Sequence, residues 1–412
     1  MIAEHHSENV TSQSQVDLGK HGPAALIVGI VLVGILLGAI LTQSAEGGQS
    51  LLWGSYLYGL VFWAAIAFAM FGLTVLNHAV RSTWTLSVLR ILEAGGGWIT
   101  LAIFGIGFLP VAANLSHIYP WAMPGIADHD PEYKRLLAHK APYLNPGVWI
   151  AQLVVFFALW IGLSWFMRNS ALKQEKTQDF QLENGRMSWG AAGLVMCFLT
   201  GTFAFIAWVM SLEPKWYSTM YGLWFTIGSS LGAYALAVTV FNLNANKKPY
   251  SDFVTKNVLK DQGNMLFVHT MLWGYTSLSQ YLILWNGNLP ETTSYYVRRA
   301  SFGWNAWGMA TIFGQFFIPF FLLLSPRTKK NSPNLRSIAG FMFFVHIIDY
   351  TLIVAPALPG RIDTATGLIP WDALSFFGFG ALFVAGFCFM FRQAAPFPTY
   401  DSRLQEAKAH AH

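Results

Sequence analysis

Apolar runs separated by short polar breaks set the pattern of this chain. Runs long enough to cross a hydrocarbon core, which takes ~20 residues, recur at 24–43, 50–78, 83–112, 145–168, 188–211, 218–243, 264–287, 302–325, 335–356 and 371–392. Hydrocarbon offers the backbone no hydrogen-bond partners, so runs of this length predict helices. The pattern therefore predicts an all-α polytopic membrane protein with about ten transmembrane helices. An even number places both termini on one side of the membrane.

Composition agrees with the pattern: 54% of the 412 residues are hydrophobic and 11% are charged, against roughly a quarter charged in soluble domains. Orientation follows from the basic residues. Seventeen of 25 fall on one side: Lys20, Arg81, Arg168, Lys173, Lys176, Arg186, Lys247, Lys248, Lys256, Lys260, Arg327, Lys329, Lys330, Arg336, Arg392, Arg403 and Lys408. The other side holds Lys134, Arg135, Lys140, Lys215, Arg298, Arg299 and Arg361, and Arg90 alone lies within a span. The positive-inside rule then puts both termini in the cytoplasm. The same loop placement argues against nucleic acid as a partner. Cys197 and Cys388 both lie in apolar runs, which excludes a disulfide framework and cysteine-ligated zinc or iron–sulfur. The first 23 residues are polar, and the run after them ends in Thr42, Gln43, Ser44, Ala45 and Glu46, a poor cleavage site, so it is expected to remain as a first helix.

Two loops are longer than the rest. The one from Asn114 to Asn145 carries His117, Asp128, His129, Asp130, Glu132 and His139, and reads as a solvated or docking surface, with a weak metal site as the alternative. The loop at 244–263 reads the same way.

Ionisable residues inside spans are costly unless paired or hydrated, so each is a candidate functional group. Arg90 and Glu93 stand three apart in the third span, the spacing of an ion pair that either neutralises itself or serves a proton path. Gly95, Gly96 and Gly97 follow, and either admit a neighbouring backbone or loosen the helix. In the ninth span His346, Asp349 and Tyr350 stand at i, i+3 and i+4 on one stripe near mid-membrane, the strongest site signal in the chain. The seventh span carries His269, Tyr275, Thr276, Ser277, Ser279 and Gln280, which line a water chain or bond across helices. Glu213 closes the fifth span beside Pro214, as a path exit or a partner of Lys215. His78, at the inner end of the second span, reads as inconsequential. Haem is not expected: at 1.5 Å per residue His269 lies roughly 7–8 Å and His346 roughly 15–17 Å from the cytoplasmic ends, too uneven for axial ligands.

The stretches Trp208 to Gly222 (WVMSLEPKWYSTMYG) and Gln262 to Glu291 (QGNMLFVHTMLWGYTSLSQYLILWNGNLPE) resemble the second quinol-oxidoreductase-like membrane subunit, the ActF type, of bacterial alternative complex III, within the NrfD/PsrC-like family. The resemblance covers nearly the whole chain except its first 20 residues and its C-terminal tail. It implies a tail and first helix over 1–48, four-helix bundles over 49–216 and 217–370 (helices 2–5 and 6–9) in one orientation, and a tenth helix and tail over 371–412. It also implies a bacterial inner-membrane complex that oxidises quinol and passes electrons to a cytochrome c or another acceptor. The implied partners are a paralogous ten-helix quinol-binding subunit, multihaem cytochrome c subunits, an iron–sulfur subunit and small membrane subunits, with a terminal oxidase as a further candidate. Haem c and iron–sulfur clusters would belong to those partners; this chain would bind no metal, and a quinone at its edge stays open. The motif positions carried over are Glu213, His269 and Gln280. A stand-alone secondary transporter and a purely structural scaffold remain the rival readings.

Overall fold

The computed structural model of the chain describes residues 16–43, 46–81, 83–126, 128, 130–359, 361, 368–398 and 401–403. Residues 1–15, which make up most of the polar N-terminal stretch, lie outside these, as do Ser44, Ala45, His129 and Lys408. The membrane helices are α1 (Gly22–Thr42), α2 (Glu46–Val80), a broken span of α3 (Leu89–Gly95) and α4 (Trp98–Gly107), then, after the short α5 (Pro131–Lys140), α6 (Pro146–Thr177), α7 (Gln181–Trp208), α8 (Tyr221–Leu243) and α9 (Lys256–Gly287). The short α10 (Pro290–Ala300) follows, then α11 (Trp304–Thr311), continued by a π-helical turn (Ile312–Phe317) into α12 (Ile318–Leu324), then α13 (Ser332–Val354) and α14 (Pro370–Phe391). Among the described residues there is no strand, and the chain is an all-α polytopic membrane protein.

Nine helical spans among the described residues are long and apolar enough to cross a membrane. The expected seventh span is the exception, although α9 is 32 residues long. Its inward stripe is polar: Gln262, His269, Thr270, Thr276 and Gln280 are buried. Its outward face is apolar, with Val268, Met271, Leu272, Leu278, Leu282, Ile283 and Trp285 exposed. A polar interior stripe under an apolar exterior is the sidedness of a membrane helix, so the low mean hydropathy of α9 reflects what it faces inside.

Helix α2 is the axis of the molecule. Its span is 89% buried, whereas that of α1 is 17% buried. It packs against α3, α7, α8 and α14, while α4 lies on α6, α6 on α7, α8 on α9 and α13, and α9 on α12. Helix α1 lies against α14 on the outside.

Two spans are interrupted, each for a local reason. The three glycines end α3 and admit a close neighbour at once: a Cβ on Gly96 would stand 2.1 Å from the backbone nitrogen of Phe71 on α2. In the eighth span Pro319 has no N–H to give and its ring displaces a carbonyl of the preceding turn. The π turn just before it is the widening that lets the chain pass without a break.

Because the atoms facing Gly96 are backbone, they cannot swing aside. Gly96→Ala is expected to cost at least about 1–3 kcal/mol, read as a fall in thermal unfolding temperature in detergent, whereas Gly34→Ala, with nothing within 4 Å of its Cβ, should leave that temperature unchanged.

Candidate functional site

Among the described residues, buried polar clusters gather around Glu93, around Asp349 and around Glu213. The first gathers around Glu93. Within the short α3, Arg90 Nη1 lies 2.6 Å from Glu93 Oε2, the i,i+3 pair expected from spacing. Arg168 of α6 places its Nη1 2.8 Å from the same oxygen and donates through Nη2 to the Met390 carbonyl at 2.7 Å. His78 of α2 puts Nε2 3.7 Å from Glu93 Oε1. Two expectations are corrected. Arg168 is not a loop cation, because α6 runs past it to Thr177. His78 is not an idle helix end, because α2 delivers it buried against the carboxylate. Arg186, also assigned to a loop, is buried and donates to Ser170 at 3.0 Å and to Gln174.

The Glu93 cluster reaches the surface through Glu175, whose Oε2 lies 3.2 Å from Arg90 Nη2 and whose side chain is 24% exposed. Glu175 lines a surface cavity of about 370 Å³ with Lys176, Arg392 and Ala395. Deeper in the bundle Thr74, Glu93, Ser164 and Arg168 line a void of about 10 Å³, close to the least that holds one water. Beside it the C-terminal segment hooks back. Arg403 donates to Asn77 Oδ1 at 3.1 Å and to Asp401 Oδ1 at 2.8 Å, the Ser402 N–H donates to Glu183 at 3.0 Å, and Phe397 stacks on Phe253 at 3.8 Å.

The second cluster lies on α13. His346 Nδ1 and Asp349 Oδ2 are 3.8 Å apart. Trp273 of α9 donates its indole N–H to Asp349 Oδ2 at 3.1 Å, a partner that sequence reasoning missed. Tyr350 does not join them; it donates to the Tyr58 carbonyl of α2 at 2.6 Å, and Tyr58 meets Thr351 at 2.7 Å. His269 has separate partners: Nδ1 lies 2.8 Å from the Met265 carbonyl, Nε2 3.1 Å from Ser230 Oγ, and the ring stacks on Tyr234. Gln280 accepts from Ser218 Oγ at 2.9 Å.

The third cluster closes the opposite end. Glu213 is gripped by Arg298 and by Arg299, whose Nη1 lies 3.4 Å from Oε2. Arg299 also donates to the carbonyls of Leu352 and Ile353 at 3.0 and 2.6 Å. Burial opposes the charge on Arg299, but Tyr295 and Glu213 outweigh it and hold its pKa above the ordinary value. The expected partner of Glu213, Lys215, instead reaches Asp130 at 3.2 Å. Asp130 caps α5 by accepting from the N–H groups of Glu132 and Tyr133, so part of the long outer loop is an ordered helix; its His129 lies outside the described residues. Arg361, assigned to an outer loop, is buried and paired with Asp372 at 2.5 Å.

No family model matches the chain. A stretch of 93 residues is 34% identical to NADH-quinone oxidoreductase subunit N of Hirschia baltica, and covers 23% of this chain and 19% of that subunit. The chain thus matches about a fifth of that relative's length.

Removing Glu93 would take from Arg90 and Arg168 the buried carboxylate they share, with Arg90 keeping Glu175. Glu93→Ala should lower unfolding stability by about 3–5 kcal/mol, and the double variant Glu93→Ala, Arg168→Met should recover part of it; denaturant titration in detergent decides, and additive losses would refute the coupling. The hook makes a pH prediction. Burial alone would raise the Asp401 carboxyl, but the Arg403 guanidinium outweighs it and holds the group below the usual range. Its stabilisation is then complete above the ordinary carboxylate pKa of about 3.9 and lost as pH falls through the lower folded value. Pepsin should spare the tail at a pH of about 4 and clip it near about 2; equal cleavage at both would count against the hook.

Proposed function

We propose that this chain is a non-haem membrane subunit of a respiratory quinone oxidoreductase, and that its buried carboxylates carry protons between the membrane faces. One observation carries the reading: a histidine stands beside a buried carboxylate in each half of the chain, His78 at 3.7 Å from Glu93 and His346 at 3.8 Å from Asp349. Ionisable pairs inside spans mark proton relays by default, because hydrocarbon makes them expensive as mere packing. The local identity to a subunit named as an NADH-quinone oxidoreductase component supports the respiratory setting.

The finer assignment is the membrane core of alternative complex III, resting on the motif resemblance around Glu213 and His269. On that assignment residues 49–216 and 217–370 form paired bundles in a bacterial inner membrane with both termini cytoplasmic. A paralogous quinol-binding subunit, cytochrome c and iron–sulfur subunits would carry the redox chemistry, with a quinone at the edge of this chain. The roles divide by geometry. Glu175 and the surface cavity admit protons from one face to the Glu93 cluster, Asp349 with His346 holds one at mid-membrane, and Glu213 between two arginines closes the far side.

The rival reading as a transporter would need interrupted spans in corresponding places of the two halves. The end of α3 at Gly96 and the π turn before Pro319 fall in the third and eighth spans. On the division proposed above, with halves beginning at the second and sixth spans, these positions do not correspond.

Asp349→Asn keeps the shape and removes the exchangeable proton. In the purified complex it should slow proton-coupled quinol oxidation by about 10-fold or more, with Asp349→Glu recovering part of the rate and co-purifying haem c unchanged. A normal rate with normal proton yield would sink the relay, and a chain that purifies alone and colourless would sink the complex.

A further inference from the structure

Gln315 sits in the π turn between α11 and α12. It is fully buried, and among the described residues neither its amide oxygen nor its amide nitrogen has a hydrogen-bond partner. One turn earlier the buried Thr311 hydroxyl is likewise unpartnered among them, and so is Nδ1 of the buried His346. Buried amides are almost always satisfied, so one open at both ends points to something that fills the gap.

The backbone shows where Gln315 aims. Gly314 packs on α13, where a Cβ would meet Val345 at 2.9 Å, and Phe316 packs on α9, where a Cβ on Gly274 would meet it at 2.5 Å. Between these two contacts the Gln315 side chain enters the seam of α9 and α13. Val345 and Gly274 are the chain neighbours of His346 and Trp273, so the amide enters at the level of the Asp349 cluster. The π turn supplies this direction, since widening the helix re-aims the residues it contains.

We propose that this seam is a buried hydration site, in which water bound to Gln315 and Thr311 bridges toward His346 and Asp349. Water suits the chemistry, because the amide presents two donors and an acceptor, the hydroxyl serves as either, and a buried water needs two to four such partners. The outward neighbours Phe313 and Phe317 are exposed apolar residues, which separate the site from lipid. The hydration stands by itself; its use as the proton carrier to Asp349 rests on the function proposed above.

Hydroxyl-radical footprinting of the resting full-length chain tests it, because radicals made from bound water label buried side chains next to that water. Trp273 and His346 should be labelled despite their burial, while the equally buried Trp160, bonded to Thr200 in the other half, should not. Gln315→Leu should abolish the labelling and Gln315→Glu should retain it. Wild-type labelling of Trp273 and His346 no stronger than that of Trp160 would overturn the proposal, as would labelling unchanged in Gln315→Leu. Turnover plays no part in the readout, so a hydrated seam with a harmless Asp349→Asn would refute the relay alone, and a dry seam in an active complex would refute the hydration alone.

Discussion

Hydrocarbon cannot accept or donate a hydrogen bond, and the arrangement of this protein follows from that constraint. Buried polar side chains such as Glu93, Asp349 and Gln262 turn inward and find partners on other helices, while large apolar side chains such as Leu272, Phe313 and Phe344 turn outward. The central α2 meets both polar interiors. Its C-terminal end delivers His78 to Glu93, and its N-terminal half gives Tyr58 to Tyr350 and Thr351.

The two histidine–carboxylate pairs share a composition but not a character. Glu93 accepts from two guanidinium groups that come from different helices. It ties α3 to α6, and a third strand of the network leads to the surface through Glu175. Asp349 is faced by an indole N–H and an imidazole, and among the described residues no lysine or arginine is paired with it. A carboxyl held in this way can change its protonation without leaving a cation stranded.

Much of the fold was legible in the sequence because bilayer thickness fixes the length of an apolar run. The Arg90–Glu93 and His346–Asp349 pairings were legible for a related reason: helical spacing alone brings residues three apart together. What spacing could not give was any partner from another helix. Arg168 looked like a loop cation because apolar character fades before α6 ends, and Trp273 carried no signal because nothing local marks its indole N–H as facing Asp349. Tyr350 shared the stripe by count yet turned toward α2, since adjacent positions diverge by about 100° around a helix of 3.6 residues per turn. The hook at Asp401 to Arg403 carried no signal, because a short polar tail reads alike whether docked or free.

The polar stripe of α9 also bears on how the chain reaches the membrane. Insertion by the translocon weighs each segment as it emerges, and amide, imidazole and hydroxyl groups near the middle of a helix count against entry. With Gln262, His269, Thr270, Thr276 and Gln280 on one side, α9 gains little by partitioning alone. It becomes favourable once α8 covers that stripe with Ser230, Tyr234 and Asn242. Helices α8 and α9 are therefore suited to hydrocarbon as a covered pair, and α9 by itself far less.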